Sequence, residues 1–210
     1  TGRWFPAGSS LEESDVLAPS HESIIRQVLL GNNFFRKEFG FASNEYMLPD
    51  CFGFPASLPS ILAHCGIKGF STQKLTWASA VGIPFNVGTW IGADGESVLA
   101  ALNPGPYSTR VREDLNDNAN WRNRVLNQGE KSGVFADYMY YGVGDIGGAP
   151  TEESVQWIQK SVQNSKDLRI ISAKADQLFM DITPEQKAKL GKLSPESVAA
   201  LPLRGTGVVV

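Results

Sequence analysis

The sequence contains few cysteine and histidine side chains, which restricts the metal and redox sites that it can form. Its 210 residues include two cysteines, too few for a disulfide framework, and these lack C-x-x-C spacing. Cys51 and Cys65 are therefore predicted to be small apolar side chains. Zinc needs three or four converging ligands, and neither His21 nor His64 has a second ligand at helical spacing. Both histidines are predicted to be surface or structural residues.

A basic surface and a long apolar run are also absent. Lys and Arg number 19 against 22 Asp and Glu, and they form no cluster of the kind that binds phosphate. Nucleic acid is therefore excluded as a partner. No run approaches the roughly 18 apolar residues of a membrane helix. This predicts a soluble protein without a membrane partner and leaves its compartment open between the periplasm and the cytoplasm of a bacterium.

The most informative stretch, residues 45–77, has the pattern of a βαβ unit. A short apolar strand is predicted at Tyr46–Leu48, with Asp50 directly after it. A helix begins at Ser57, and a second strand follows at Lys68–Ser71. A carboxylate that follows a strand lies at the edge where α/β sheets and barrels place their chemistry. Asp50 is therefore the first candidate site residue.

A second acid, Asp145, lies in the glycine-rich segment YYGVGDIGGAPTEES. A strand predicted at Phe135–Val143 would deliver it, and Thr151 would cap the next helix. Glycine-rich turns before a helix also bind phosphate, but this one lacks the G-K-[ST] and G-x-G-x-x-G patterns, and its carboxylates would repel phosphate. Asp145 is therefore a second candidate site residue, because it and Asp50 both follow predicted strands that could be neighbours.

The remaining elements follow from periodicity, caps and turns. The sequence predicts an amphipathic helix from Ser20 to Phe39, with Phe34–Phe35 in the core, and a hairpin around the Asp94 turn. The other predicted elements are a buried strand at Arg3–Pro6, hairpin strands at Asn86–Trp90 and Ser97–Leu102, a helix from Arg112 to Asn127, a helix after Thr151 that buries Val155, Ile158 and Val162, a strand at Leu168–Ser172, helices at Ala173–Asp181 and Thr183–Ala200, and a last strand that begins near Val208.

Residues 45–77, EYMLPDCFGFPASLPSILAHCGIKGFSTQKLTW, resemble the nucleophile segment of the glycoside hydrolase family 38 α-mannosidases. That segment usually has the form LPDTFGYSAALPQIL...GIKYFLTQKLSW, and most positions match in order without a gap. GVGDIGGAPT is similar to the family's GxGDGGGGPT, with Ile146 and Ala149 in place of glycines. The resemblance extends from the opening GRW(x)P(x)G to the last strand, so residues 1–210 are expected to be a partial catalytic domain.

The resemblance implies a role for each candidate residue. Asp50 would be the catalytic nucleophile and one ligand of a zinc ion, whose other ligands are expected outside this chain. Lys74 would be a substrate-binding residue and the basic residue that keeps Asp50 ionised, and Asp145 would bind mannose hydroxyls. The general acid is expected beyond Val210.

The fold implied is α/β, an incomplete parallel (β/α)7-type barrel truncated at both ends. The expected function is hydrolysis of terminal α-mannosides by a zinc-dependent retaining glycosidase, with mannose-containing oligosaccharides as partners. The alternative is a non-catalytic carbohydrate-binding or pseudo-enzyme module on the same fold. A chain cut inside a barrel exposes unpaired strand edges, which favour a homo-oligomer.

Overall fold

A computed structural model describes residues 2, 4–76, 82–199 and 208–209, with side chains as far as residue 197. The helices are α1 His21–Phe39, α2 Leu58–His64, α3 Ala119–Ser132, α4 Glu152–Gln163, α5 Gln177–Asp181, α6 Pro184–Lys189 and α7 Pro195–Ala199, with a 3-10 turn at Lys74–Thr76. The strands are β1 Glu45–Met47, β2 Gly53–Phe54, β3 Gly69–Ser71, β4 Val87–Ile91, β5 Ser97–Ala101, β6 Lys192–Leu193 and β7 Val208–Val209.

Five of the strands form one mixed sheet in the order β1-β3-β5-β4-β6. Strands β1, β3 and β5 are parallel, whereas β4 is antiparallel to β5 and parallel to β6. The fold is therefore α/β, as predicted. A parallel barrel is not confirmed, because the described strands form a mixed sheet in which the β4–β5 hairpin reverses direction.

The predicted βαβ unit is confirmed as β1, α2 and β3. Helix α2 buries Leu58, Ile61 and Leu62, which join Tyr46 and Phe70 of the strands in the main core. Ser57 occupies the N-cap position, but its side chain does not cap the helix. Its Oγ lies 3.0 Å from His21 Nε2 instead, linking the starts of α1 and α2.

Helix α1 has the predicted caps, but its second half leaves the core. Ser20 accepts a hydrogen bond from the Ser23 N–H, and Gly40 ends the helix with a φ of 82°. The buried positions stop at Asn32, so the prediction that Phe34–Phe35 lies in the core is wrong for Phe34, which is 48% exposed. In this second half of the helix, the aromatic side chains contact one another and Trp4 instead.

Residues 4–6 do not form the buried strand predicted for Arg3–Pro6, and Trp4 is 59% exposed. The backbone of Phe135–Val143 is irregular rather than a strand. Two hydrogen bonds join it to another loop, from Tyr140 N–H to the Pro104 carbonyl and from Gly142 N–H to the Thr109 carbonyl. Leu168–Ser172 is also irregular. Each segment had a strand-like composition, but none of them pairs with a described strand.

Side-chain hydrogen bonds changed the helices after the hairpin. Helix α3 begins at Ala119 rather than Arg112, because Asn118 caps it by accepting from the Trp121 N–H. Helix α4 has its predicted Thr151 cap but buries Ser154, Ile158 and Ser161, while Val155 and Val162 are exposed. The two serine hydroxyls accept hydrogen bonds from the backbone N–H groups of Val111 and Leu115, which sets the buried face of α4.

The C-terminal region has shorter helices than predicted. The predicted Ala173–Asp181 helix is reduced to α5, and Thr183–Ala200 is divided into α6, β6 and α7. Thr183 forms the predicted start as a capping box with Gln186. The last strand is confirmed as β7, which pairs in parallel with β2. Trp77 and residues 201–207 lie outside the described residues. Within the described part, no helix combines the length and apolar character needed to cross a bilayer.

Glu45, the first residue of β1, is a buried carboxylic acid that titrates near neutrality. Its Oε1 accepts a hydrogen bond from the Gly8 N–H at 2.7 Å, and its Oε2 is buried without a partner among the described residues. Burial raises the pKa of Glu45 to about 7; the Gly8 N–H opposes this shift, and the charge of Asp176 adds to it. Glu45 lies at the N-terminal end of β1, opposite Asp50.

Replacing Glu45 with Gln should raise the melting temperature at pH 8 but not at pH 4.5. The folded protein holds this proton more tightly than the unfolded chain, whose glutamate has a pKa of 4.5. The proton therefore contributes about 3 kcal/mol to the free energy of unfolding below pH 4.5, and this contribution is lost as the pH rises through about 7. Scanning calorimetry of the protein at both pH values measures this change, and Glu130→Gln on α3 is the exposed control. An equal effect at both pH values would contradict it.

Candidate active site

Asp50 lies at the carboxyl end of β1 with its carboxylate in solvent. Leu48, one residue after the strand, is fully buried, and its N–H bonds the Ser71 carbonyl of β3 at 3.0 Å. Pro49 has no N–H to continue this pairing, so the chain turns outward. The Asp50 side chain is 45% exposed, and its backbone N–H donates to Glu13 Oε1 at 3.2 Å. The strand thus ends by presenting a carboxylate to solvent.

Lys74 brings a buried cation to this carboxylate. It follows β3, which is parallel to β1, and the carboxyl ends of parallel neighbours meet at one edge of a sheet. The Lys74 side chain is 4% exposed, and its Nζ lies 2.5 Å from Asp50 Oδ1. The same Nζ lies 5.0 Å from the ring centroid of Phe52 and 5.8 Å from that of Tyr107. Because the Lys74 side chain is buried, its ammonium has a fixed place in the protein and can keep the Asp50 carboxylate in one position.

Tyr107 connects this ion pair to Asp145. Its hydroxyl donates to Asp145 Oδ1 at 2.8 Å, and its backbone N–H donates to Oε1 of the buried Gln73 at 2.8 Å. The hydrogen bond to Asp145 is the main reason that the pKa of Tyr107 is raised to about 12, and the negative charge of Asp50 acts in the same direction. Both carboxylates therefore raise the pKa of this one phenol.

The loop around Asp145 is open and has an unusual backbone. Asp145 has a φ of 66°, and Gly142, Gly147 and Gly148 also have positive φ values. Ile146, next to Asp145, is 85% exposed. The glycine-rich segment thus reaches the site through a loop, not through the strand predicted for it.

The structure brings the three predicted site residues, Asp50, Lys74 and Asp145, into one cluster. Sequence reasoning missed Tyr107, Glu13 and Phe52. Tyr107 follows β5, the third parallel strand, so its place after a strand end was the signal that could have identified it. Glu13 lies in a loop whose acids have no sequence signal that separates a site contact from a solvated side chain.

Asp94 and His64 belong to the other end of the sheet. Asp94 precedes β5, which is parallel to β1, so it lies at the edge opposite Asp50. It accepts hydrogen bonds from Ser60 Oγ and the Glu96 N–H, and His64 Nε2 lies 2.9 Å from its other oxygen. The bonds to Ser60 and His64 lower the pKa of Asp94 to about 2. The predictions of a turn role for Asp94 and a surface or structural role for His64 are confirmed.

The cysteines and the other histidine also match their predictions. Cys51 and Cys65 are unpaired, and both pack against the main core. Burial raises the pKa of each thiol. His21 is exposed. Among the described residues, no group of three His, Cys, Asp or Glu side chains could hold a metal ion. Asp50, a half-exposed carboxylate of the type that zinc accepts, therefore fits one ligand of a zinc site and not a complete site.

Comparison with known proteins decides the family. The sequence profile of the N-terminal domain of glycosyl hydrolases family 38 matches residues 1–195. The chain belongs to this family. It is 35% identical over 195 residues to α-mannosidase G of Dictyostelium discoideum and 38% identical over 182 residues to α-mannosidase 2C1 of Mus musculus. These matches cover 91% and 85% of this chain and 17% of each relative. The family 38 chain thus spans about a sixth of the length of these relatives.

Solved structures show the same fold at low identity. The chain matches the crystal structure of an α-mannosidase from Enterococcus faecalis V583 with a TM-score of 0.62 at 16% identity, covering 90% of this chain and 22% of that chain. A second family 38 protein from Enterococcus faecalis gives a TM-score of 0.57 at 15% identity, covering 90% of this chain and 19% of that chain. The mixed α/β fold is therefore one that family 38 proteins have in this region.

Proposed function

We propose that the whole protein encoded by the gene, of which this chain is a part, hydrolyses terminal α-mannosides of oligosaccharides. We refer to it as the gene-encoded protein, and this chain would form one wall of its active site. The observation that supports this best is the pairing of an exposed Asp50 with a buried Lys74 where two parallel strands end. The relatives are named α-mannosidases, which narrows the glycoside to a mannoside.

Asp50 is assigned the role of nucleophile in a retaining mechanism. Such enzymes use two carboxyl groups about 5–5.5 Å apart, one that attacks the anomeric carbon and one that protonates the leaving oxygen. Asp50 is exposed enough to reach a sugar, and Lys74 fixes the direction of its carboxylate. Asp145 bonds a neutral phenol and lies on an open loop, which suits binding of sugar hydroxyls. The general acid is assigned to a residue beyond Val210.

Zinc is proposed as the cofactor, with Asp50 as the one ligand from this chain and the others outside it. A bound zinc ion would supply Lewis acidity to the hydroxyls of the sugar. Asp50 would then be both the nucleophile and a zinc ligand. Lys74 Nζ, 2.5 Å from Asp50 Oδ1, limits how this carboxylate can rotate.

The finer fold proposal is that β1, β3 and β5 are consecutive parallel strands of a (β/α)7-type barrel completed by sequence outside this chain. The parallel pairing of β2 with β7 supports this, because it joins the region after Asp50 to the last residues of the chain. The catalytic-domain assignment of residues 1–210, the self-association through strand edges and the cellular compartment stay predictions.

The test is hydrolysis of 4-nitrophenyl α-mannoside by the gene-encoded protein, before and after dialysis against a chelator and after zinc is restored. Release of nitrophenol that falls with the chelator and returns with zinc is expected, and NMR should show α-mannose as the first product. The matched controls are 4-nitrophenyl β-mannoside and α-glucoside. If the protein binds mannose in calorimetry but turns over no substrate, it is the non-catalytic module instead. If the activity is unaffected by the chelator, the proposed role of zinc is refuted.

A further inference from the structure

Asp145 has a left-handed backbone conformation, which aspartate tolerates better than most residues that carry a Cβ. Its φ of 66° lies in the left-handed region, which costs a residue with a Cβ more than it costs glycine. Gly142, Gly144, Gly147 and Gly148 surround it, so the segment has glycine at the neighbouring positions and a carboxylate at one strained position. Residues held in this way occur often at ligand sites. The structural element that holds the Asp145 side chain lies outside this glycine-rich segment.

Tyr107 is that element. Its hydroxyl bonds Asp145 Oδ1 at 2.8 Å, and its ring fills the space beside Gly144, where an added Cβ would overlap the ring atoms. The ring in turn is fixed from behind, because the Tyr107 N–H bonds Gln73, which is 3% exposed. A rigid part of the protein thus holds the loop through one phenol.

Tyr107 also lies against the nucleophile side of the site. Lys74 Nζ is 5.8 Å from the centroid of its ring, and the same Nζ binds Asp50. The one aromatic ring therefore contacts the cation that orients Asp50 and the carboxylate of Asp145.

We propose that Tyr107 is a positioning residue that sets the Asp145 carboxylate at a fixed place beside Asp50, so that Asp145 binds a hydroxyl of the mannose ring that Asp50 attacks. This inference rests on the proposed function. The hydroxyl of Tyr107 acts through Asp145 and does not touch the substrate, which separates its role from that of Asp50.

Kinetics of Tyr107→Phe, Asp145→Ala and the double variant test the proposal with 4-nitrophenyl α-mannoside. Phe keeps the ring beside Gly144 and removes only the hydrogen bond to the carboxylate. We expect KM to rise about 10-fold with kcat within about threefold, because a bond that positions a binding group affects ground state and transition state alike. The double variant should have the KM of Asp145→Ala, because alanine leaves the Tyr107 hydroxyl no side-chain acceptor at this position. Tyr141→Phe, an exposed tyrosine of the same segment, should match the wild type.

A second variant and a second readout keep the test independent of one substitution. Gly144→Ala keeps the phenol but displaces the ring, and it should raise KM in the same direction. Hydrogen exchange of the peptide covering residues 142–148 should be faster in Tyr107→Phe than in Tyr141→Phe, and this holds even if the protein turns over no mannoside.

The outcomes separate this inference from the proposed function. A wild-type KM in Tyr107→Phe, unchanged hydrogen exchange, or a double variant whose effects multiply would each overturn the positioning role. Near-normal turnover by Asp50→Asn would instead refute the nucleophile assignment and leave the exchange result to decide the role of Tyr107.

Discussion

Replacing Asp50 with Asn should lower kcat for 4-nitrophenyl α-mannoside by roughly a million-fold, the scale of losing a nucleophile. The amide is close in size to the carboxylate but cannot form the glycosyl ester, and it carries no charge to pair with Lys74. The side chain is 45% exposed, so the fold should tolerate the change. The measurement is single-substrate kinetics on the gene-encoded protein, with the melting temperature recorded to confirm folding.

Asp94→Asn is the matched control for this loss. Asp94 is also an aspartate at a sheet edge with hydrogen-bonded oxygens, but it lies at the opposite end of the parallel strands. Its kcat and KM should equal those of the wild type. The nucleophile assignment would not survive if Asp50→Asn and Asp94→Asn had similar kcat values.

Replacing Lys74 with Met should lower kcat about 100-fold and leave the protein folded. Methionine fills the buried path of the lysine stem but has no ammonium to hold Asp50 Oδ1 at 2.5 Å, so the carboxylate can turn away from the anomeric carbon. Misplacement of a reacting group by about 1 Å costs rates of this order. The charge left without its partner, Asp50, is 45% exposed, so water can solvate it and the cost of leaving a buried unpaired charge is avoided.

Lys160→Met is the control for this prediction. Lys160 lies on the exposed side of α4 and also packs against an aromatic ring, with its Nζ 4.5 Å from the centroid of Trp157. It should have wild-type kinetics. Equal kcat values for Lys74→Met and Lys160→Met would show that Asp50 does not depend on the buried ammonium, and a large drop in melting temperature for Lys74→Met alone would make Lys74 a structural residue.

The local signals in residues 45–77 were sufficient for the central unit of the fold. An apolar run ended by Pro49 and a helix with Gly66 at its end, where φ is 80°, predict β1, α2 and β3 without reference to the rest of the chain. The Asp94 turn predicts its hairpin for the same reason. Caps and turns of this kind depend on hydrogen bonds between residues a few positions apart, which a sequence displays directly.

Partners that are distant in sequence could not be predicted. Ser154 and Ser161 determine the buried face of α4 because they bond backbone groups 43 and 46 positions away. Composition made Phe135–Val143 strand-like, but its neighbour is the loop after β5, and no ladder forms there among the described residues. Tyr107 reaches Asp145 over a separation of 38 positions.

By itself, the sequence determined the βαβ unit, the position of Asp50 at a strand end and the likeness of its surroundings to family 38, because these are encoded in short contiguous patterns. Only the tertiary structure decided that Lys74 approaches Asp50 from a buried position, that Tyr107 joins both acids, and that the sheet is mixed. The physical reason is that burial, ion pairing and strand direction depend on which distant segments fold against each other, and a linear pattern does not contain that information.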